Sequence, residues 1–312
     1  SLMRSFGALA VALLGPHAEP LVAGVADLLR DESGGVRREA VQALWRLGPA
    51  SAPAAQAASE AAALLEDPDA DTREAAVGFL GFLGGAALDH AGSVAWLLED
   101  EEPQVRGEAA LALSRILRAG SAPREFVARL ADLLSDEKVS VVESAAEALG
   151  RLGGDAAAPH VVRLAALLRH RRRRARDAAA AALRAMLEAQ HGNAAREAVL
   201  AALVEVGESA AHLAGSVAAL LEDEDRHLRE EAARAIGAMG LAAAAQAPAL
   251  AALLREPFRT LRTAALRALG RLGAGAAAHA AEVAALRSDG CRSVRAAADE
   301  ALRAIEPVPG PS

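Results

Sequence analysis

One phrase recurs along this chain and constrains its fold more than any other feature. LLRDESGGVRREAVQALWRLG begins at Leu28, returns as LLEDPDADTREAAVGFLGFLG from Leu64, and returns again as LLEDEEPQVRGEAALALSRIL from Leu97. A chain built this way is a stack of similar units, each burying its apolar face against its neighbours.

Aligning the units on the residue after the paired leucines gives Asp31, Asp67, Asp100, Asp136, His170, Asp223, Glu256 and Asp289. Most steps between these positions are 33 to 36 residues. Within the second half of a unit the apolar residues fall in one narrow helical stripe, as in Val36, Ala40, Leu44 and Leu47. That half is therefore a helix, called B. The first half is another amphipathic run, such as FVARLADLL, and makes helix A. Gly48, Gly84, Gly153, Gly240 and Gly273 stand where B helices should end in a left-handed cap. Pro16, Pro20, Pro123, Pro159 and Pro248 lie near the starts of A helices, where a missing N–H does little harm.

The acid of the A–B turn and the arginine six residues later have a structural reading. The acid can accept hydrogen bonds from the free N–H groups that open helix B, and the arginine can reach that acid or the one in the next unit. The ladder so read is Asp31 with Arg37, Asp67 with Arg73, Asp100 with Arg106, Asp223 with Arg229, Glu256 with Arg262, and Asp289 with Arg295. Recurrence in most units argues against a catalytic role for any one of these carboxylates.

DESGGVRREAVQALWRLG and DEDRHLREEAARAIGAMG carry an acidic turn, VR or LR, EA and a closing LG or MG. In these motifs the chain resembles the HEAT-repeat family, in the HEAT-like variety also seen in bilin lyases. The resemblance implies an all-α fold, an α-solenoid of about eight helical hairpins with A helices on the convex side and B helices on the concave side. It spans residues 1–306 as a single solenoid. Residues 1–15 fit a truncated first repeat, 16–189 and 208–306 regular repeats, and 307–312 a flexible tail. On this register the chain starts inside a repeat, which reads as a fragment of a longer chain or a processed chain; membership of a larger complex as one subunit is a separate expectation.

The pattern breaks in four places. From His170 to Asp223 is 53 residues, and the excess, 190–207, holds one B-like helix behind a short loop. It is either a unit that lost its A helix or a bend that reshapes a binding face. In the same region Arg169, Arg171, Arg172, Arg173, Arg174 and Arg176 crowd one A–B turn. They read either as a solvated turn balanced by acidic neighbours or as a site for an anionic ligand, since clustered guanidinium forks bind phosphate and carboxylate. Trp45 occupies a B position filled elsewhere by Gly81, Ser114, Gly150, Arg184, Gly237, Gly270 and Arg303; Trp96 occupies an A position otherwise held by small or acidic residues. Each is a candidate partner-binding hot spot or a filler between helices. Finally, the last two B helices carry Arg259, Arg262, Arg267, Arg271, Arg292, Arg295 and Arg303, which sets up a charge gradient along the chain.

Composition narrows the function classes. Net charge is −7, which excludes a globally basic nucleic-acid binder. The single cysteine, Cys291, allows no internal disulfide and fits a reducing, intracellular and cytoplasmic setting. No apolar run reads as a membrane span. No CxxC pair, HExxH pair or phosphate loop is present, so no metal, cofactor or catalytic constellation is assigned. The leading expectation is a protein–protein scaffold that holds a partner on the B-helix face and the A–B turn edge. Polyanion or nucleic-acid binding by Arg169–Arg176 is a second reading. A lyase-type enzyme or chromophore carrier, implied by the repeat subtype alone, is a third.

Overall fold

The computed structural model describes residues 22–47, 52–117, 122–189 and 193–305. The truncated repeat expected at 1–15, the tail at 307–312, Pro16, Pro20, Gly48 and most of the loop before the irregular helix lie outside these residues. The described residues are helical with no strand. The chain divides into two compact units, Ser1–Leu152 and Gly153–Ser312.

In the first unit, A and B helices alternate: α1 Val22–Asp27, α2 Gly34–Leu47, α3 Ala52–Ala63, α4 Ala70–Leu83, α5 Ala91–Trp96, α6 Pro103–Ile116, α7 Arg124–Asp132 and α8 Val139–Leu152. The B helices α2, α4, α6 and α8 pack side by side in chain order. Each A helix is shorter than its apolar run suggests. The α-helical part stops before the paired leucines, which form a 3₁₀ turn such as Leu97–Glu99. Asp100 then swings to extended geometry, with its N–H bonded back to Leu97 O at 3.3 Å. The tighter turn directs both leucines into the core; Leu98 is 1% exposed.

The second unit contains α9 Gly154–Ala157, α10 Val161–Ala166, α11 Arg173–Glu188, α12 Asn193–Val206, α13 Ala214–Ala219, α14 Arg226–Ala238, α15 Ala247–Ala252, α16 Arg259–Leu272, α17 Ala280–Ala285 and α18 Arg292–Ile305. Here α12, α14, α16 and α18 form the B layer. The irregular segment supplies α12, a B-type helix with no A helix of its own; it packs on α10 and α11 of the preceding hairpin. By length and hydropathy alone the run Asn193–Glu222 reaches the size of a bilayer span, longer than the sequence reading allowed. It is not one continuous helix, because Gly207, at φ 65, ends α12.

The stripe positions are the core: Val36, Ala40, Leu44, Val105, Ala109, Leu113, Leu261, Ala265 and Leu269 are all fully buried. Neighbouring B helices approach to backbone contact. A Cβ added at Gly81 would lie 2.8 Å from Ala112 Cα, and one at Gly237 would lie 2.9 Å from Ala268 Cα. Small residues recur in this column because the neighbouring helix leaves no room. Gly84 and Gly273 end B helices with φ of 57 and 56; their ψ of −129 and −131 lies outside the left-handed helical well, in a region that glycine alone enters freely.

Candidate functional site

The ladder forms by a single repeated geometry. Each aspartate first closes its own turn: Asp67 Oδ1 accepts from Asp69 N at 2.9 Å, Asp100 Oδ1 from Glu102 N at 2.9 Å, and Asp289 Oδ1 from Cys291 N at 2.7 Å. The N–H so held belongs to the residue just before helix B. The arginine six residues on then donates Nη1 to the carbonyl of its own unit's acid, as Arg73 does to Asp67 O and Arg106 to Asp100 O, both at 2.8 Å. Its other edge forks onto the next unit's carboxylate. Arg37 reaches Asp67 at 2.6 and 2.7 Å, Arg73 reaches Asp100 at 2.8 and 2.9 Å, and Arg262 reaches Asp289 at 2.9 and 3.2 Å. These forks are nearly dry, with Arg73 and Asp100 side chains 9% and 6% exposed. Hydrogen bonding to Asp67 raises the Arg37 pKa further, and the backbone N–H of Cys291 holds the Asp289 carboxyl below its usual range.

Two rungs depart from this pattern. The glutamate Glu256 is one methylene longer than the aspartates; Arg229 Nη2 comes only within 4.0 Å of it, and the buried Arg229 Nε has no partner among the described residues. Glu256→Asp is therefore expected to complete the fork and raise stability by about 1 kcal/mol. Chemical unfolding of the two proteins checks this, and an unchanged or lower midpoint would contradict it. The other departure is a rung that the sequence reading missed. Arg196, on α12, donates Nη1 to Asp223 at 3.1 Å and Nε to Ala189 O at 2.9 Å.

The structure separates the arginines of the 169–176 turn. Arg169 donates to Glu205 O and Val206 O at 2.9 and 2.8 Å, closing the end of α12. Arg176 donates to His170 O at 2.9 Å, and Arg173 pairs with Asp177 at 3.3 Å. The side chains of Arg171, Arg172 and Arg174 are exposed and carry no ion pair among the described residues.

On the B face of the first unit, Trp45 is half-buried, its ring 5.7 Å from that of Phe82 and tilted by 37°. Gly78, on α4, makes room for the indole: a Cβ there would meet Trp45 Cζ3 at 2.9 Å. The pair opens onto a groove of 690 Å³ bounded by Glu108, Arg115 and Arg151. Glu108 pairs with Arg115 at 3.1 Å, yet burial still raises its carboxyl pKa. Phe82, Arg115 and Arg151 were not singled out from sequence. All three lie one position after the Trp45 column in successive repeats, and that register was the available signal.

Trp96 is 72% exposed and lies on an A helix. Arg129 stacks over it at 5.1 Å and also pairs with Glu99 at 2.9 Å. The two tryptophans thus stand on different helix layers and share no site.

In the second unit the structure sorts the C-terminal arginines. Arg262 and Arg295 serve the ladder, with Arg295 donating to Asp289 O at 2.7 Å, while Arg303 donates to Asp299 O at 3.1 Å. Arg259, Arg267 and Arg271 instead line a groove of 330 Å³ on the B face, with Arg234. Cys291 is half-exposed with its Sγ 3.2 Å from Ser293 Oγ, a contact that lowers the thiol pKa. Among the described residues no three His, Cys, Asp or Glu side chains converge as metal ligands.

The family comparison agrees with this architecture. The family pattern for HEAT repeats matches residues 22–95 and 91–184. No curated protein matches the chain. Among solved structures, an engineered protein from the Northeast Structural Genomics Consortium is 19% identical, over 96% of this chain and 94% of that chain, with a TM-score of 0.42.

Proposed function

Because the chain belongs to the HEAT-repeat family, whose members are commonly protein-interaction scaffolds and generally non-catalytic, we propose that it is a non-catalytic scaffold that holds a partner protein on its B-helix face. The observation that carries this reading is the Trp45–Phe82 pair. It is a half-buried aromatic pair whose tryptophan stands in a column that otherwise favours small residues, opening onto a 690 Å³ groove with charged walls. An amphipathic ring fixed by a neighbouring helix offers contact area at low entropic cost, and such rings dominate interface energies.

The test is affinity capture by the intact chain, Trp45→Ala and Trp96→Ala, each at low and high salt. Trp45→Ala should lose a salt-resistant partner by about 2 kcal/mol or more, that is, at least about thirtyfold in affinity. Trp96→Ala should keep it. A partner held equally by Trp45→Ala would overturn the assignment. Thermal melting of each variant separates lost binding from lost fold.

A second reading has one observation in its favour. Arg171, Arg172 and Arg174 are exposed cations with no ion pair among the described residues, and a polyanion would suit them. Binding there should weaken steeply with salt and vanish when the three are replaced. The chromophore-carrier reading rests on the repeat subtype alone.

A further inference from the structure

The groove between α14 and α16 carries Arg234, Arg259, Arg267 and Arg271 against a single acid, Glu230, which Arg226 engages at 3.5 Å; the adjoining groove between α16 and α18 carries one acid, Glu300. Arg267 and Arg271 lie one turn apart on α16, both exposed, and neither side chain has a hydrogen bond or ion pair among the described residues. They stand on a ridge between two grooves and line both. Arg234 approaches from α14, tied to Glu231 at 3.0 Å. Like charges four residues apart on a helix repel by a few tenths of a kcal/mol. An anion held between them would relieve that repulsion.

The shape indicates which anion. Small residues floor both grooves, Ala264 and Ala268 in the first and Gly270, Ala297 and Ala301 in the second, so no bulky side chain stands between the arginines and an incoming main chain. No aromatic ring lines either groove, which removes the stacking platform that single-stranded nucleic acid uses. Residues at i and i+4 on a helix have Cβ atoms about 5–6 Å apart. Alternate residues of an extended peptide are about 6.6 Å apart on one side. We propose that this groove binds an acidic, extended segment of a partner protein, with carboxylates at alternate positions gripped by Arg267 and Arg271. The proposal rests on the B-helix face being the partner-binding face, and adds the chemistry of what binds.

The test uses the full chain and a labelled peptide of alternating glutamate and alanine, with alternating glutamine and alanine as control. Wild type should bind the glutamate peptide and not the glutamine one. Arg267→Gln with Arg271→Gln should weaken binding by about tenfold per arginine, since each loses a charged hydrogen bond. Arg171→Gln with Arg172→Gln, and Trp45→Ala, should bind as wild type does. Equal loss in both arginine pairs, no loss in the groove pair, or displacement of the peptide by oligothymidylate would each overturn the proposal. Failure of wild type to bind the peptide would also overturn it, while leaving Trp45-dependent capture standing. Capture that persists in Trp45→Ala, with peptide binding intact, would sink the Trp45 assignment alone. Thermal melting confirms that each variant is folded.

Discussion

Asp100→Ala is expected to destabilise the first unit by about 3–5 kcal/mol, the range for removing one member of a buried ion pair. Two losses combine. The Arg73 guanidinium, with a side chain 9% exposed, keeps its charge and loses a two-pronged partner at 2.8 and 2.9 Å. The Glu102 N–H loses the acceptor that closes its turn. Asp100→Asn separates the two, because the amide oxygen can still close the turn while the charge is gone; its cost should fall between those of wild type and Asp100→Ala. Chemical unfolding followed by circular dichroism measures both, and hydrogen exchange should place the loosening in α4 and α6. A cost below about 1 kcal/mol for Asp100→Ala, the level of an exposed pair, would show that the ladder does not hold the repeats together.

Gly81→Val should be comparably damaging for a different reason. The first added carbon already meets Ala112 Cα at 2.8 Å, and the obstacle is backbone, so α4 and α6 must move apart. Overpacking of this kind costs typically about 1–3 kcal/mol, and the branched side chain places it at the upper end. Gly78→Ala is the informative contrast on the same helix. There the obstacle is the tip of Trp45, at 2.9 Å, which can swing aside. That substitution should gain helix propensity of about 1 kcal/mol while shifting tryptophan fluorescence. A stability loss at Gly78 equal to that at Gly81 would contradict this account of the column.

The repeat unit, the core stripe and the ladder positions could be read from sequence because each depends on spacing within one unit. What sequence reading missed depends on contacts between units. Arg196 lies six residues after Gln190, which stands where the aligning acid should be, so the register built on that acid does not include it. Trp45 was visible as a misfit, but its partners Phe82 and Gly78 belong to the following repeat and emerge only once α2 and α4 are side by side. The C-terminal arginines looked alike by composition. Their offsets divide them: Arg262 is in the ladder register, while Arg267 and Arg271 fall further along the same helix and turn to the groove. The A helices looked continuous because the leucine pair fits an α-helical stripe as well as it fits the 3₁₀ turn it adopts.

On the proposed function the partner sits on the B-helix layer. Site-specific photocrosslinking tests it most directly, with the reactive group placed in turn at Arg151, beside the Trp45 groove, and at Val162, an exposed A-helix position. A discrete, saturable crosslinked partner is expected from Arg151, disappearing in Trp45→Ala, and none from Val162. A partner crosslinked only from Val162, or from Arg151 irrespective of Trp45, would contradict it.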